Sequence, residues 1–146
     1  MKYILPALLL IFSCTVFSQD KKRNAQHNRS GVEAAMRHYD RLIEKLEADS
    51  ISLLYTVDGN LGNIVIGRDS IRNFLATFKN IQVLSQRSHT TAVYIDGNAA
   101  LQKGNYRQTD VVGKDTVTVK GTYTAHWTWI PNDGWHIKKM ETKPIK

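Results

Sequence analysis

Apolar and polar residues alternate with two different periods along this chain, and the change of period divides it. Val32, Ala35, Met36, Tyr39, Ile43 and Leu46 recur at helical spacing, with Arg37, Asp40, Arg41, Glu44 and Lys45 filling the opposite face. This pattern predicts a long helix, and Ser30 with Glu33 supplies a capping box at its start. A second, shorter helix is expected from a cap at Asp49 or Ser50, carrying Ile51, Leu53, Leu54 and Tyr55 until Asp58, Gly59 and Asn60 break it. Residues 61–66 read as a short strand. Asp69 then caps a third helix, built on Ile71, Phe74, Leu75 and Phe78.

Beyond Asn80 the period becomes two. Thr91, Val93 and Ile95 alternate with Thr90, Ala92 and Tyr94, Asp96-Gly97-Asn98 turns the chain, and residues 99–109 return. After a second turn at Gly113-Lys114-Asp115, the residues Val117, Val119, Gly121, Tyr123, Ala125, Trp127 and Trp129 alternate with Thr118, Lys120, Thr122, Thr124, His126 and Thr128. Such alternation predicts one buried and one wet face. Pro131-Asn132-Asp133-Gly134 is a turn, and residues 135–142 form the last strand. For Trp135 and Ile137 to share the face of Trp127 and Trp129, the closing hairpin needs an odd-length loop or a bulge, for which Gly134 is a natural site.

The first residues add a different kind of signal. Lys2, the apolar run over residues 3–12 and the exit at Val16-Phe17-Ser18 have the layout of a secretory signal peptide over residues 1–18. The run falls short of the ~20 apolar residues that cross a bilayer, so no transmembrane anchor is expected. Cleavage after Ser18 is preferred to lipidation at Cys14, because Phe12 is bulky where a lipoprotein box takes a small residue. The expected destination is therefore the periplasm or the exterior. Residues 19–29, polar and without periodicity, suit a flexible leader, and residues 30–146 a single domain.

Composition excludes more than it assigns. Cys14 is the chain's one cysteine, so a chain cut after Ser18 has neither disulfides nor a thiolate nucleophile. The formal net charge is +7, part of it in a Lys21-Lys22-Arg23 run and a Lys138, Lys139, Lys143, Lys146 tail. These cations are not interleaved with exposed aromatics, and nucleic acid is not an expected partner. No pair of histidines has ligand spacing, and no phosphate loop or nucleophile elbow occurs, so neither metal nor cofactor is expected.

Helices followed by a meander of long strands predict an α+β fold in which three N-terminal helices cover the concave face of a curved, mainly antiparallel sheet, a cone-shaped α+β barrel. The order resembles the nuclear transport factor 2-like superfamily, and within it the SnoaL-like domains of exported bacterial proteins. The marks are Tyr39, Asp49, Leu54-Tyr55-Thr56-Val57-Asp58-Gly59, residues 67–74, Asp96-Gly97-Asn98-Ala99-Ala100 and Asp133-Gly134-Trp135-His136-Ile137, over about residues 31–142. The resemblance implies a conical pocket between sheet and helices, and pairing through the outer sheet face. Ketosteroid isomerases of this superfold use an aspartate base with a tyrosine and a protonated aspartic acid. Here Gly62-Asn63 stands where the base would be and Ala125 where the acid would be, leaving Tyr39 as the match to the tyrosine. Dehydratase relatives imply a pocket histidine and aspartate, for which His89 and Asp58 are the candidates.

Three functions follow as expectations. The first is binding of a small apolar or aromatic molecule, without catalysis, in a pocket lined by Tyr39, Tyr55, Gln102, Tyr106, Tyr123, Trp127 and Trp129. The second is a cofactor-free dehydratase, isomerase or hydrolase using His89 or Asp58 with a tyrosine such as Tyr39 or Tyr106. The third is an interaction module that forms a homodimer through the threonine-rich outer sheet face.

Overall fold

The computed structural model describes residues 26–145. The expected signal segment, Cys14 and most of the leader lie outside the described residues. Within them three helices, α1 (Arg29–Lys45), α2 (Ala48–Leu53) and α3 (Arg68–Leu75), accompany six strands. The strands are β1 (Tyr55–Leu61), β2 (Val65–Ile66), β3 (Ile81–Asp96), β4 (Ala99–Val112), β5 (Asp115–Ile130) and β6 (Gly134–Pro144). They form one sheet in the order β2-β1-β6-β5-β4-β3, antiparallel except where β1 runs parallel to β6. This is the α+β arrangement that the change of period predicts. No helix among the described residues is long and apolar enough to cross a membrane.

The alternation in β5 holds from Gly121 to Trp127, whereas Val117, expected inward, is exposed near the start of the strand. Gly121, Tyr123, Ala125 and Trp127 are buried, whereas Thr118, Lys120, Thr122 and His126 are exposed. The inward residues meet Val32, Ala35, Met36 and Ile43 of α1 and Ile51 and Ile71 of α2 and α3 in one core. The closing hairpin takes the odd-length solution: a three-residue loop joins the Ile130–Gly134 pair, so Trp129 lies opposite Trp135 and Trp127 opposite Ile137. The bulge falls at Lys138 rather than at Gly134, where the register slips between the His126–Lys139 and Trp127–Ile137 pairs. That slip lets Ile137 and Met140, three residues apart, both point into the core.

Several boundaries differ from the sequence reading, each for a local reason. The cap of α1 is Asn28, whose side chain accepts the Gly31 N–H at 3.0 Å, while Ser30 sits in the first turn and Glu33 pairs with Arg29. The end of the leader is placed on the fold: His27 stacks on Trp129 at 4.5 Å, and the Trp135 Nε1–H donates to the Gln26 carbonyl at 3.0 Å. Neither Asp49 nor Asp69 acts as a cap, since α2 begins after Glu47 and α3 after Gly67 without a side-chain cap bond. Tyr55 opens a strand instead of ending a helix, and Asp58-Gly59-Asn60 lies inside that strand, because β1 gains parallel pairing with β6 from Tyr55 onward.

Candidate functional site

Two tyrosines lie over two glycines on the inner face of the sheet. Tyr123 of β5 pairs with Gly104 of β4, and Tyr106 of β4 with Gly121 of β5. A Cβ at Gly104 would stand 2.6 Å from the Tyr123 ring, and one at Gly121 the same distance from the Tyr106 ring. Both are closer than atoms can approach, so the missing side chains are what allow the rings to lie flat on the sheet. Flattened in this way, they leave room under α1.

That room is a cavity of ≈ 290 Å³. Its roof is Met36, Tyr39 and Ile43 of α1, one rim is Leu61, Gly62 and Ile64 of the β1–β2 hairpin, and its floor includes Gln86, Ser88, Tyr106, Gln108, Val119, Tyr123, Met140 and Thr142. None of the lining residues is charged. Burial pushes the Tyr39 phenol up to about 12, with the Asp40 charge adding to the rise and a hydrogen-bond contact with Tyr55 opposing it. Burial also holds the Tyr55, Tyr123 and Tyr106 phenols above their ordinary value. All of these phenols stay protonated at neutral pH and serve as neutral hydrogen-bonding groups.

Behind the lining lies an acid that helical periodicity assigns to the polar face. Asp40 is 6% exposed. Its Oδ1 accepts from Ser88 Oγ at 2.8 Å and Gln86 Nε2 at 3.2 Å, and its Oδ2 from the Ser88 N–H at 2.9 Å. One turn later Glu44 accepts the Gln86 N–H at 3.0 Å and pairs with Arg87. β3 is an edge strand, and the amides of Gln86 and Ser88 point away from β4. Carboxylates at i and i+4 on α1 occupy those donors, which satisfies them and closes this stretch of edge. Burial raises the Asp40 carboxyl above its ordinary range, against the opposing effect of its bonds to Ser88 and Gln86; the bond from the Gln86 N–H, aided by Arg87, holds Glu44 below its own.

The expected site residues separate. Tyr39, Tyr106 and Tyr123 line the cavity, and Tyr55 is buried beside Tyr39 with no hydrogen-bond partner of regular geometry on its hydroxyl. Gln102 and Trp127 do not line it. The Trp127 Nε1–H donates to Gln102 Oε1 at 3.0 Å, Gln102 Nε2 donates to Thr90 Oγ1 at 2.8 Å, and Thr90 meets the Tyr123 hydroxyl at 3.2 Å, a chain inside the core. Trp129, six residues beyond Tyr123 on β5, packs edge-on against Trp135 at 5.3 Å and under His27. The aromatic wall of this cavity is therefore made of tyrosines.

The acid–base candidates lie away from this cavity, although His89 borders two open clefts beside β3. A bulge at Thr91, between the Thr90–Gly104 and Ala92–Lys103 pairs, inverts the parity of β3. Val93 packs on the core, but Ser88 and Thr90 take the inward positions before the bulge and His89 is exposed opposite the exposed Asn105. Asp58 is exposed as well, accepting from Thr56 at 2.9 Å and pairing with Lys138, whose hydrogen bond holds its carboxyl low. Neither residue lines the cavity.

A smaller cavity of ≈ 200 Å³ lies between α1 and β6, lined in part by Trp127, Trp135 and His136. There His136 Nε2 and Asp133 are joined at 2.8 Å.

No family model matches the chain, and no curated protein does. Solved structures match along most of its length. A ketosteroid isomerase-like protein from Erwinia carotovora atroseptica superposes with a TM-score of 0.69 at 15% identity, over 79% of this chain and 94% of the other. A scytalone dehydratase candidate from Novosphingobium aromaticivorans gives 0.67 at 14% identity, over 79% and 82%. An NTF2-like protein with a cystatin-like fold, from the same species, gives 0.65 at 13% identity, over 89% and 84%. The chain thus has the cystatin-like fold of the nuclear transport factor 2-like and SnoaL-like proteins.

Proposed function

We propose that this is an exported domain that binds a small, largely apolar molecule in the cavity beneath α1, without catalysing its conversion. The observation that carries the reading is the lining itself: apolar side chains from α1, the β1–β2 hairpin, β5 and β6, three neutral phenols, and no carboxylate, imidazole or ammonium in contact with the space. General acid–base chemistry at neutral pH is best served by a group that titrates nearby, and the only titrating groups of the lining are phenols, all held above their ordinary value. Enclosing roughly 150 Å² of apolar ligand surface contributes about 4 kcal/mol, a millimolar affinity by itself, so polar contacts must supply the remainder of a useful affinity.

The test is a thermal-shift and NMR screen of compact aromatic and alicyclic compounds, run beside Val119→Phe, which fills the floor of the cavity. Binders should raise the melting temperature of the parent protein and have no effect on the filled variant. If binders act equally on both, the cavity is not the site.

A second reading concerns assembly. The exposed threonines of β5, with Thr109 and Thr118 joined across the strands at 3.0 Å, suit a homodimer through the outer sheet face. On the same face Arg87, Arg107 and Lys120 stand in one cross-strand row. A two-fold partner would bring like charges together, so the dimer should form better at high than at low salt, as light scattering after size exclusion would show.

A further inference from the structure

Resting on the binding reading above, we infer that the ligand carries a hydrogen-bond donor, in the first place a hydroxyl group, and is not an anion, because Asp40 fixes the hydrogen-bonding polarity of the cavity wall. A carboxylate only accepts. Gln86 must therefore turn its amide nitrogen towards Asp40, and Ser88 must give its one hydroxyl proton to the same group. What these two lining residues retain is acceptor capacity: the Gln86 Oε1, buried just beneath the surface of the lining, and the remaining lone pairs of Ser88. The Gln86 side chain is among the buried polar groups of the fold, and its Oε1 has no partner. A buried carbonyl oxygen without a donor calls for one.

The Tyr123 side of the floor is polarised by the same logic. Trp127 can only donate, and its bond to Gln102 Oε1 orients the Gln102 amide so that Nε2 donates to Thr90. Thr90 keeps its own proton, which it can give to the Tyr123 oxygen, and with the bond in that sense the Tyr123 proton is left for the cavity. One side accepts and the other donates. A hydroxyl group can satisfy either, an amine can satisfy the accepting side, and a carboxylate meets Gln86 Oε1 and the negative charge behind it. The net charge of +7, which would draw anions to the molecule as a whole, thus has the wrong sign for the cavity.

Toluene, benzyl alcohol and benzoate share a ring and differ in this one group. Titrated into the protein at neutral pH and followed by NMR, benzyl alcohol should bind at least about fivefold more tightly than toluene, the worth of one hydrogen bond, and benzoate more weakly than either. Gln86→Met, which keeps volume and removes the acceptor, should abolish the preference for benzyl alcohol. Asp40→Asn should narrow the gap to benzoate by freeing the Gln86 amide. Equal binding of toluene and benzyl alcohol to the parent protein, or preferred binding of benzoate, overturns this inference and leaves the apolar cavity standing. Binding of none of the three counts against both.

Discussion

Replacing Asp40 by alanine tests the clamp between α1 and the edge strand, and its cost can be bounded from the structure. Three donors lose their acceptor: Gln86 Nε2, Ser88 Oγ and the Ser88 amide. Counted as three charge-assisted bonds of about 1.5–3 kcal/mol each, the loss would be roughly 5–9 kcal/mol, most of the stability of an ordinary domain. That sum is too large, because the substitution also removes a buried charge. Burial outweighs the bonds in setting the Asp40 carboxyl, which is held above its ordinary value, so the ionised group is itself costly to keep inside. Ser88 Oγ can rotate, and Gln86 Nε2 retains a long contact to it at 3.5 Å. What remains is one strand amide and part of one side-chain amide without partners, about 2–3 kcal/mol, or roughly 10 °C in melting temperature for a domain of this size. Urea unfolding followed by tryptophan fluorescence measures it. Asp40→Ala and Ser88→Ala should be non-additive, since they dismantle the same bonds. A loss under about 0.5 kcal/mol, or strict additivity, would refute the clamp.

Further consequences can be measured with the same unfolding assay. Asp40 has its folded carboxyl raised above 3.8, so the stabilisation linked to its protonation is complete below that pH and is lost as pH rises through the folded value; the stability of the parent relative to Asp40→Asn should fall over that window. Glu44 is shifted the other way, below 4.5, so its contribution is present above 4.5 and lost as pH falls through the folded value; Glu44→Gln should be the weaker protein at neutral pH and equal to the parent in acid. Gly104→Ala or Gly121→Ala forces a tyrosine off its seat and presses on a neighbouring carbonyl, and each should cost about 2 kcal/mol or more. Trp127→Phe leaves Gln102 Oε1 without its donor inside the core and should cost about 2–3 kcal/mol, whereas Trp129→Phe, partly exposed, should cost less.

The architecture was legible where one residue type followed another at a fixed period. Residues 117–129 alternate without interruption, and in the structure β5 runs through them without a bulge on its β4 side, so the inward face could be read directly. Where the period breaks, the pattern no longer gives the direction of a side chain. His89 shares its parity with Thr91, Val93 and Ile95 in an unbroken strand, which would turn it inward, but a single extra residue at Thr91, with no glycine to mark it, turns the imidazole outward. Asp40 was assigned to the wet face of α1 because only the edge of β3, distant in sequence, offers donors to bury it. The tryptophans are the largest aromatic groups of the sheet, yet it is the tyrosines seated on Gly104 and Gly121 that line the cavity beneath α1, and that pairing depends on the β4–β5 register. The tyrosine of the ketosteroid isomerase resemblance, Tyr39, does reach the cavity; the two acids it would work with are absent from the lining.

The most direct measurement is a crystal structure of the protein soaked with benzyl alcohol. Electron density for the ring between Tyr39, Tyr106 and Val119, with its hydroxyl within hydrogen-bonding distance of Gln86 Oε1, is the predicted result. A space beneath α1 filled by the protein's own side chains, with the compound bound elsewhere or not at all, would contradict it.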